Sequence, residues 1–465
     1  MKGFHTTVNR RDFMKGLGLA GAGIGAASLV APQFQDMDDV LSSPKSNFKH
    51  AWFVKNRDAF NPTVEIDWDQ IKPWKLDAEW GNFQKIQNAD VLPGFLDNQK
   101  NLQALKAQWR TEQRERYDIK FDALSGSANF WSSSATAGSP AATGFTDVAA
   151  DTRWRGTPEE AARIVRAAFS YLGMPEVHFL SATDQRIINL GSQGTLTDTQ
   201  VDAKVKSLIV AVQRKDITIG RNSTGDPYGY SHRNLLLRRQ TEFITRLGYN
   251  CVGEVSGPNA AYGALGGGSE MSRLDHSVSP RFGAGIKVWT MLATDLELPE
   301  DTPIDAGIFR FCANCMTCAD MCRLNGNFCL SEEREPSWES HNTLPPAAVA
   351  AGVSTWDYKR PGVKRYFADY AYCDRGNCLQ HCWGQCVFNE LTDAGIHSFL
   401  KPVIATLGGG PGQVFDKAIM AVEGVMPFGV RTFEEQFESI ERWWNRDLSK
   451  WHYDEQTGAG SSTLY

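Results

Sequence analysis

Residues 311–329 read FCANCMTCADMCRLNGNFC, and the spacing of their thiols decides how the chain is read. Cys312, Cys315, Cys318 and Cys322 form a C-x2-C-x2-C-x3-C run. Three thiolates at two-residue gaps can take three corners of an iron–sulfur cube, while the fourth, one step further on, serves a second cluster. A counterpart follows at Cys373, Cys378, Cys382 and Cys386, with gaps of four, three and three residues. By this logic Cys312, Cys315, Cys318 and Cys386 hold one [4Fe–4S] cluster, and Cys373, Cys378, Cys382 and Cys322 hold the other. Cys329 is an alternative to Cys373, and Cys251 is left over. Structural zinc favours separate C-x2-C pairs, which this tandem does not resemble. Arg323 and Val387 stand where a proline commonly follows the last cysteine. That proline shapes the turn without touching iron, so its absence predicts an altered local backbone and not a lost cluster.

The rest of the composition bounds the answer. A chain of 465 residues can bury a large core and suggests two or three domains. A net charge of −6 without a basic patch argues against a nucleic-acid partner. Fourteen tryptophans supply core packing or an aromatic wall around an apolar ligand. Near the start, Asn9-Arg10-Arg11-Asp12-Phe13-Met14-Lys15 precedes a weakly apolar run from Gly16 to Ala31. Charge followed by a modest apolar stretch is the layout of a signal segment. The paired arginines suggest the twin-arginine route, which carries folded cargo. Clusters are assembled in the cytoplasm, so a protein that carries them outward needs such a route. The run is short for a membrane span, and no later segment reads as one, so attachment to a membrane is expected to need a partner.

Along the chain, 1–40 is the expected signal segment and 41–150 an irregular region rich in Trp, Phe, Asn and Asp. Order appears at Thr157-Pro158-Glu159-Glu160, where a capping threonine, a proline at the first helical position and a glutamate three residues on mark a helix start. The helix is expected to stop at Gly173. Residues 205–212 (VKSLIVAV) read as a buried strand, Ser231 as the cap of a second helix ending at Gly248, and 288–293 as another strand. Strands alternating with helices predict an α/β (α+β) layer core for 151–300. The cysteine-rich unit spans 301–395, and 396–465 reads as a helical tail.

Several short motifs then resemble one family. Gly229-Tyr230-Ser231, Phe243-Ile244-Thr245-Arg246-Leu247-Gly248-Tyr249, Ser279-Pro280-Arg281-Phe282-Gly283, Thr294-Asp295-Leu296 and the run from Phe311-Cys312 are similar, in order and spacing, to the catalytic subunit of corrinoid-dependent reductive dehalogenases. The resemblance covers about 229–390. It implies a nitroreductase-like core around a base-off corrinoid, beside a ferredoxin-like unit with two [4Fe–4S] clusters. None of the nine histidines lies in an Asp-x-His-x-x-Gly motif, which agrees with a corrinoid that takes no protein histidine below the cobalt.

The resemblance also implies residue roles. Tyr230 becomes the proton donor, with Tyr228 as its alternative, and Lys287 the cation that stabilises the tyrosinate. A phenol with an ordinary pKa near ~10 holds its proton at neutral pH, and a nearby ammonium eases its release. Gly266, Gly267, Gly268 and Ser269 would admit the corrinoid closely. The family often carries an asparagine soon after Leu-Gly-Tyr, near the substrate; the segment 251–259 departs from that pattern, and Ser256 or Asn259 fills the place here. The implied substrate is a small organohalide, a chlorinated ethene or alkane. The implied partners are a small integral-membrane anchor subunit and a membrane electron donor, with the protein on the outer face of the cytoplasmic membrane. Two other readings share parts of the pattern. An epoxyqueuosine-reductase-like enzyme also combines a corrinoid with tandem clusters, but it acts on tRNA and needs no export. A non-catalytic ferredoxin-like carrier leaves the large α/β core without a task.

Overall fold

The computed structural model describes residues 49–73, 104, 108, 153–191, 205–215, 229–253, 258–324, 329–338, 362–368, 381–390, 396–407, 416–418, 444–445, 449, 452–454 and 459–461. The signal segment, most of 41–150, Tyr228, Ser256, Cys373 and Cys378 lie outside these residues.

In chain order the elements are β1 (Lys55–Asn56), α1 (Pro158–Tyr171), β2 (Glu176–Ser181), α2 (Gln185–Leu190), β3 (Ser207–Arg214), α3 (Gly229–Arg246), β4 (Cys251–Gly253), α4 (Asn259–Leu265), β5 (Glu270–Met271) and β6 (Ser277–Val278). They continue with β7 (Ile286–Thr294), β8 (Ile304–Asp305), α5 (Ile308–Phe311), α6 (Thr317–Leu324), α7 (His381–Gly384), α8 (Ile396–Leu407), β9 (His452–Asp454) and β10 (Ala459–Ser461).

The central sheet has the order β2-β3-β7-β4, and every neighbouring pair is antiparallel. Side chains alternate between its faces with the strand period of two. Val177, Phe179, Ile209, Ala211 and Leu292 face a core completed by Ala162, Val165 and Phe169 of α1 and by Leu236 and Ile244 of α3. Leu180, Leu208, Val210, Val212 and Ala293 face the other way, onto Tyr262 and Leu265 of α4. Helices therefore cover both faces of an antiparallel sheet.

Local chemistry explains the first helix. The Thr157 hydroxyl accepts from the Glu160 N–H at 3.2 Å, and the Glu160 carboxylate accepts from the Thr157 N–H at 2.8 Å, a complete capping box. The expectations for 205–212 and 288–293 correspond to β3 and β7, extended by a few residues. Strand β2 went unpredicted because Glu176 and His178 interrupt its apolar pattern, yet both are buried. Ser231 does not cap the second helix. That helix begins at Gly229, which places Ser231 inside its first turn. The tail is not wholly helical either, since β9 and β10 pair as an antiparallel hairpin after α8.

The described part of 41–150 docks on the core. β1 pairs with β8, and Ile71, Phe60, Ile66 and Trp68 join the α4-side core. Likewise Leu274, Val278 and Ala284 share a core with the thiols of 312–386. Among the described residues no helix is long and apolar enough to cross a membrane.

Candidate active site and cysteine centre

The thiols arrive on short elements. Cys312 ends α5, Cys315 lies in the following turn, and Cys318 and Cys322 sit one helical turn apart on α6. Cys382 lies on α7 and Cys386 two residues past its end. α6 packs against α7, which gathers the two sequence-distant runs. Cys318, Cys322, Cys329 and Cys382 are buried in one apolar cluster, with Cys315 and Cys386 packed against it. No disulfide joins any two of the eight described cysteines.

Electrostatics show which thiols are neighbours. Burial pushes the Cys312 thiol up, and the charges of Cys315 and Cys386 add to the effect. Cys318 is raised by burial and then by Cys315, Cys312 and Cys382. Burial pushes Cys386 up to about 12, with Cys315 contributing. Cys312 thus senses Cys315 and Cys386, Cys386 senses Cys315, and Cys318 senses Cys315, Cys312 and Cys382. Such a set is costly as four buried thiolates alone and is stabilised by a cationic partner. Among the described residues no three His, Cys, Asp or Glu side chains converge on a point that could hold one metal ion. A cubane makes no such demand, because each thiolate binds its own iron, so the donor set fits a [4Fe–4S] cluster. Cys329 shares its cluster of side chains with Cys322 and Cys382. Cys251, by contrast, is a core thiol on β4, raised by burial and packed on the α1–α3 side.

The segment 266–275 grips both ends of α5, which leads into the cysteine run. α5 has no side-chain cap at Gly307. Instead the buried Glu270 carboxylate accepts from the N–H groups of Ala306, Ile308 and Phe309, at 2.5, 3.3 and 3.3 Å. An anion at a helix start is favourable, and burial raises the Glu270 carboxyl to about 7, with Asp305 adding to the rise. At the other end Arg273 donates to the carbonyls of Cys312 and Cys315. A third tie comes from Asn389, three residues after Cys386. It accepts from the Ala284 N–H at 2.9 Å and donates to the carbonyls of Trp383 and Gly384. Gly283 sits at φ +70°, and a Cβ there would meet the Asn389 backbone at 2.4 Å, so only glycine allows this approach.

The candidate acid and its cation come from separate elements. α3 packs against β4 and β7, and its C-terminal end leads directly into β4, which pairs with the Thr294 end of β7. An 18-residue helix spans about 27 Å, close to the length of a 9-residue strand, about 30 Å. Tyr230 is the second residue of α3, and Lys287 is the second residue of β7, at the end of that strand away from its pairing with β4. Lys287 is the ladder partner of Gln213 on β3. Asn259 opens α4 and is partly buried.

The three glycines of the run are packed closely by the protein's own chain. Gly267, at φ +86°, lies against the Thr302 carbonyl, where a Cβ would come within 2.4 Å. Gly266 and Gly268 lie against His178 and, for Gly268, Val212. These glycines admit the protein's own chain. Ser269 differs, because its buried hydroxyl has no hydrogen-bond partner. Glu176 Oε2 and both amide atoms of Gln213 are also buried without partners. Unmet polar atoms of this kind fit a ligand rimmed with amide groups, as a corrinoid is.

Sequence reasoning missed the buried ionisable group on β2. The His178 ring contacts Glu176 Oε1 at 3.1 Å and stacks on His50 at 5.8 Å between centroids. Asp301 accepts from Arg166 and from the Phe179 N–H. Burial lowers both His50 and His178 to about 4 and raises Glu176 to about 7. Only the two-residue spacing of Glu176 and His178 hinted that both would face the same way.

Comparison with known proteins agrees with this geometry. No family model matches the chain. A chloroethene reductive dehalogenase of Dehalococcoides mccartyi strain VS is 26% identical over 98% of this chain and 100% of its own length. A trichloroethene reductive dehalogenase of strain 195 is 26% identical over 95% of this chain and 97% of its own. The chain is a relative of the reductive dehalogenases. That relationship places it among oxidoreductases. A solved reductive dehalogenase, whose structure suggests a mechanism for B12-dependent dehalogenation, superposes with a TM-score of 0.56 at 16% identity. The match covers 84% of this chain but only 50% of the solved one, so this chain spans about half that protein's length. At this identity the likeness establishes a shared fold.

Proposed function

We propose that this protein reductively dehalogenates a small organohalide, a chlorinated ethene or alkane. The observation that carries the reading is the packed thiol set, gathered on α5, α6 and α7 beside an antiparallel sheet covered by helices. The full-length relatives named for chloroethene and trichloroethene reduction support the substrate class.

Cys312, Cys315, Cys318 and Cys386 would hold one [4Fe–4S] cluster. Cys322, Cys373, Cys378 and Cys382 would hold the second, with Cys329 beside them as the alternative to Cys373. Bound clusters supply one-electron transfer, and a bound base-off corrinoid in a nitroreductase-like core supplies the low-valent cobalt that cleaves carbon–halogen bonds. The chain's own residues manage the proton and the surroundings. Tyr230 holds a proton at neutral pH and delivers it to the substrate carbon, and Lys287 stabilises the phenolate left behind. Ser269, Gln213 and Glu176 offer unmet polar atoms to the corrinoid rim. Asn259 or Ser256 orients the substrate. Twin-arginine export, a small membrane anchor subunit and a membrane electron donor complete the reading, with the protein on the outer face of the cytoplasmic membrane.

Metal analysis of the anaerobically reconstituted full chain tests it. About eight irons and about one cobalt per chain, with halide release from a chlorinated ethene, are the expected result. Iron without cobalt would instead mark an electron carrier.

A further inference from the structure

Arg273 is among the largest fully buried side chains, with no measurable exposure. Its guanidinium donates to the Cys312 carbonyl at 3.0 and 2.6 Å, to the Cys315 carbonyl at 3.1 Å, to the Ser331 carbonyl at 2.8 Å and to the Glu333 carbonyl at 2.6 Å. Its own N–H approaches the Cys312 sulfur at 3.5 Å, and the guanidinium carbon lies 4.3 Å from the centre of the Tyr366 ring. Every hydrogen-bond acceptor of the side chain is a neutral carbonyl, and among the described residues no carboxylate pairs with it. A buried guanidinium ordinarily has an anionic partner, because desolvating an unpaired charge is costly. What stands beside Arg273 instead is the first cysteine set: its N–H approaches the Cys312 sulfur, and its guanidinium holds the carbonyls of Cys312 and Cys315.

We propose that Arg273 is a positioning residue that sets the reduction potential of the cluster held by Cys312, Cys315, Cys318 and Cys386. The inference rests on the cluster reading above. Reduction adds one electron, and so one negative charge, to a cluster that four thiolates already make anionic. A fixed, desolvated cation beside the ligands stabilises the reduced form more than the oxidised one and raises the potential, as net charge and hydrogen bonding near the sulfurs do in such centres. The guanidinium fork also fixes the Cys312–Cys315 turn, so one side chain from the α/β core shapes both the geometry and the electrostatics of the knot. The backbone N–H to the Cys312 sulfur persists whatever side chain stands at 273, which leaves the charge as the variable.

The test is an EPR-monitored potentiometric titration of the full reconstituted chain as wild type, Arg273→Gln and Arg273→Lys, with iron content measured on each. The expected result is a more negative midpoint for one of the two clusters in Arg273→Gln and a midpoint near wild type in Arg273→Lys, with iron retained. Lysine keeps the charge but loses most of the carbonyl contacts, so its rescue separates charge from shape. An unchanged midpoint in Arg273→Gln, or equal shifts in both variants, overturns the proposal. Loss of iron from both variants also overturns it, by making Arg273 a fold requirement only. Absence of a reducible [4Fe–4S] signal in the wild-type chain overturns the cluster reading itself, and this proposal with it.

Discussion

The two sides of this molecule are packed by opposite means. Between α1, α3 and the sheet, the core is Val165, Phe169, Phe179, Ile209, Leu236 and Leu292, all apolar, and the buried Arg166 at its edge is paired with Asp301. Around the cysteines the interior holds Glu270, Arg273, Asp275 and the Cys318 and Cys322 thiols of α6, all buried. The first region is built mainly by hydrophobic burial, and its buried cation has a carboxylate partner. The second accepts desolvated charges that apolar packing would avoid. The difference teaches that the α1–α3 side supports the fold, while the knot side is arranged as the proposed clusters would require. The predictions below break or sharpen that contrast.

The largest effect is expected at the thiols. Cys318→Ala removes a donor from the centre of the first set, and iron content should fall by on the order of half, with dehalogenation lost. Full iron retention would show that Cys318 is packing only. Tyr230→Phe comes next. Turnover should drop about 10²–10⁴-fold, the usual worth of a positioned acid, with iron and cobalt content unchanged. Normal turnover in that variant would remove Tyr230 from the mechanism. On the apolar side Phe169→Ala should behave oppositely. It should cost about 3–5 kcal/mol of stability in a chemical denaturation experiment, while the purified folded protein keeps its iron.

A smaller effect concerns acid. His50 and His178 have folded-state pKa values of about 4, below the ordinary value of 6.5. The unfolded chain therefore binds their protons first, and stability should be lost as pH falls from about 6.5 toward about 4. Glu176 works in the other sense. Its pKa of about 7 lies above the ordinary 4.5, so its contribution is present at low pH and is lost as pH rises through that window. His50→Phe keeps the ring on His178 and removes one titrating group. Its unfolding midpoint should depend less on pH between about 6.5 and about 4 than that of wild type. An identical pH profile would deny His50 a part in docking the segment 49–73.

How legible each region was follows from the same contrast. The capping box at Thr157, strands β3 and β7, and the cysteine spacing are local patterns, and local patterns survive in sequence. Tyr230 and Lys287 came from motif resemblance, and they lie on separate elements, α3 and β7, that only the tertiary fold packs together. Strand β2 and the grips of Glu270 and Arg273 were hidden. A lone Glu in GSEMSR reads as a solvated charge, because nothing near it in sequence reveals the helix start 36 to 39 residues later that it caps. Asn389 and Gly283 pair across a separation of more than one hundred residues, which no periodicity records.

The mildest perturbation tests whether the two regions are energetically separate. Thr157 caps α1 on the apolar side, on an exposed surface, and is remote in sequence from every cysteine. Thr157→Ala leaves the Glu160 N–H to solvent and removes one half of a reciprocal pair, at a cost of about 1 kcal/mol. Because α1 is tied to the sheet through Phe169 and through Arg166 on the Val177 carbonyl, that loss should appear as a lower denaturation midpoint for the whole layer. The knot is held by contacts from 266–284 that α1 does not supply, so iron content and cluster potentials should stay at wild-type values. A shift of cluster potential in Thr157→Ala would mean that strain passes through the sheet into the knot, and the division into a supporting side and a binding side would then fail.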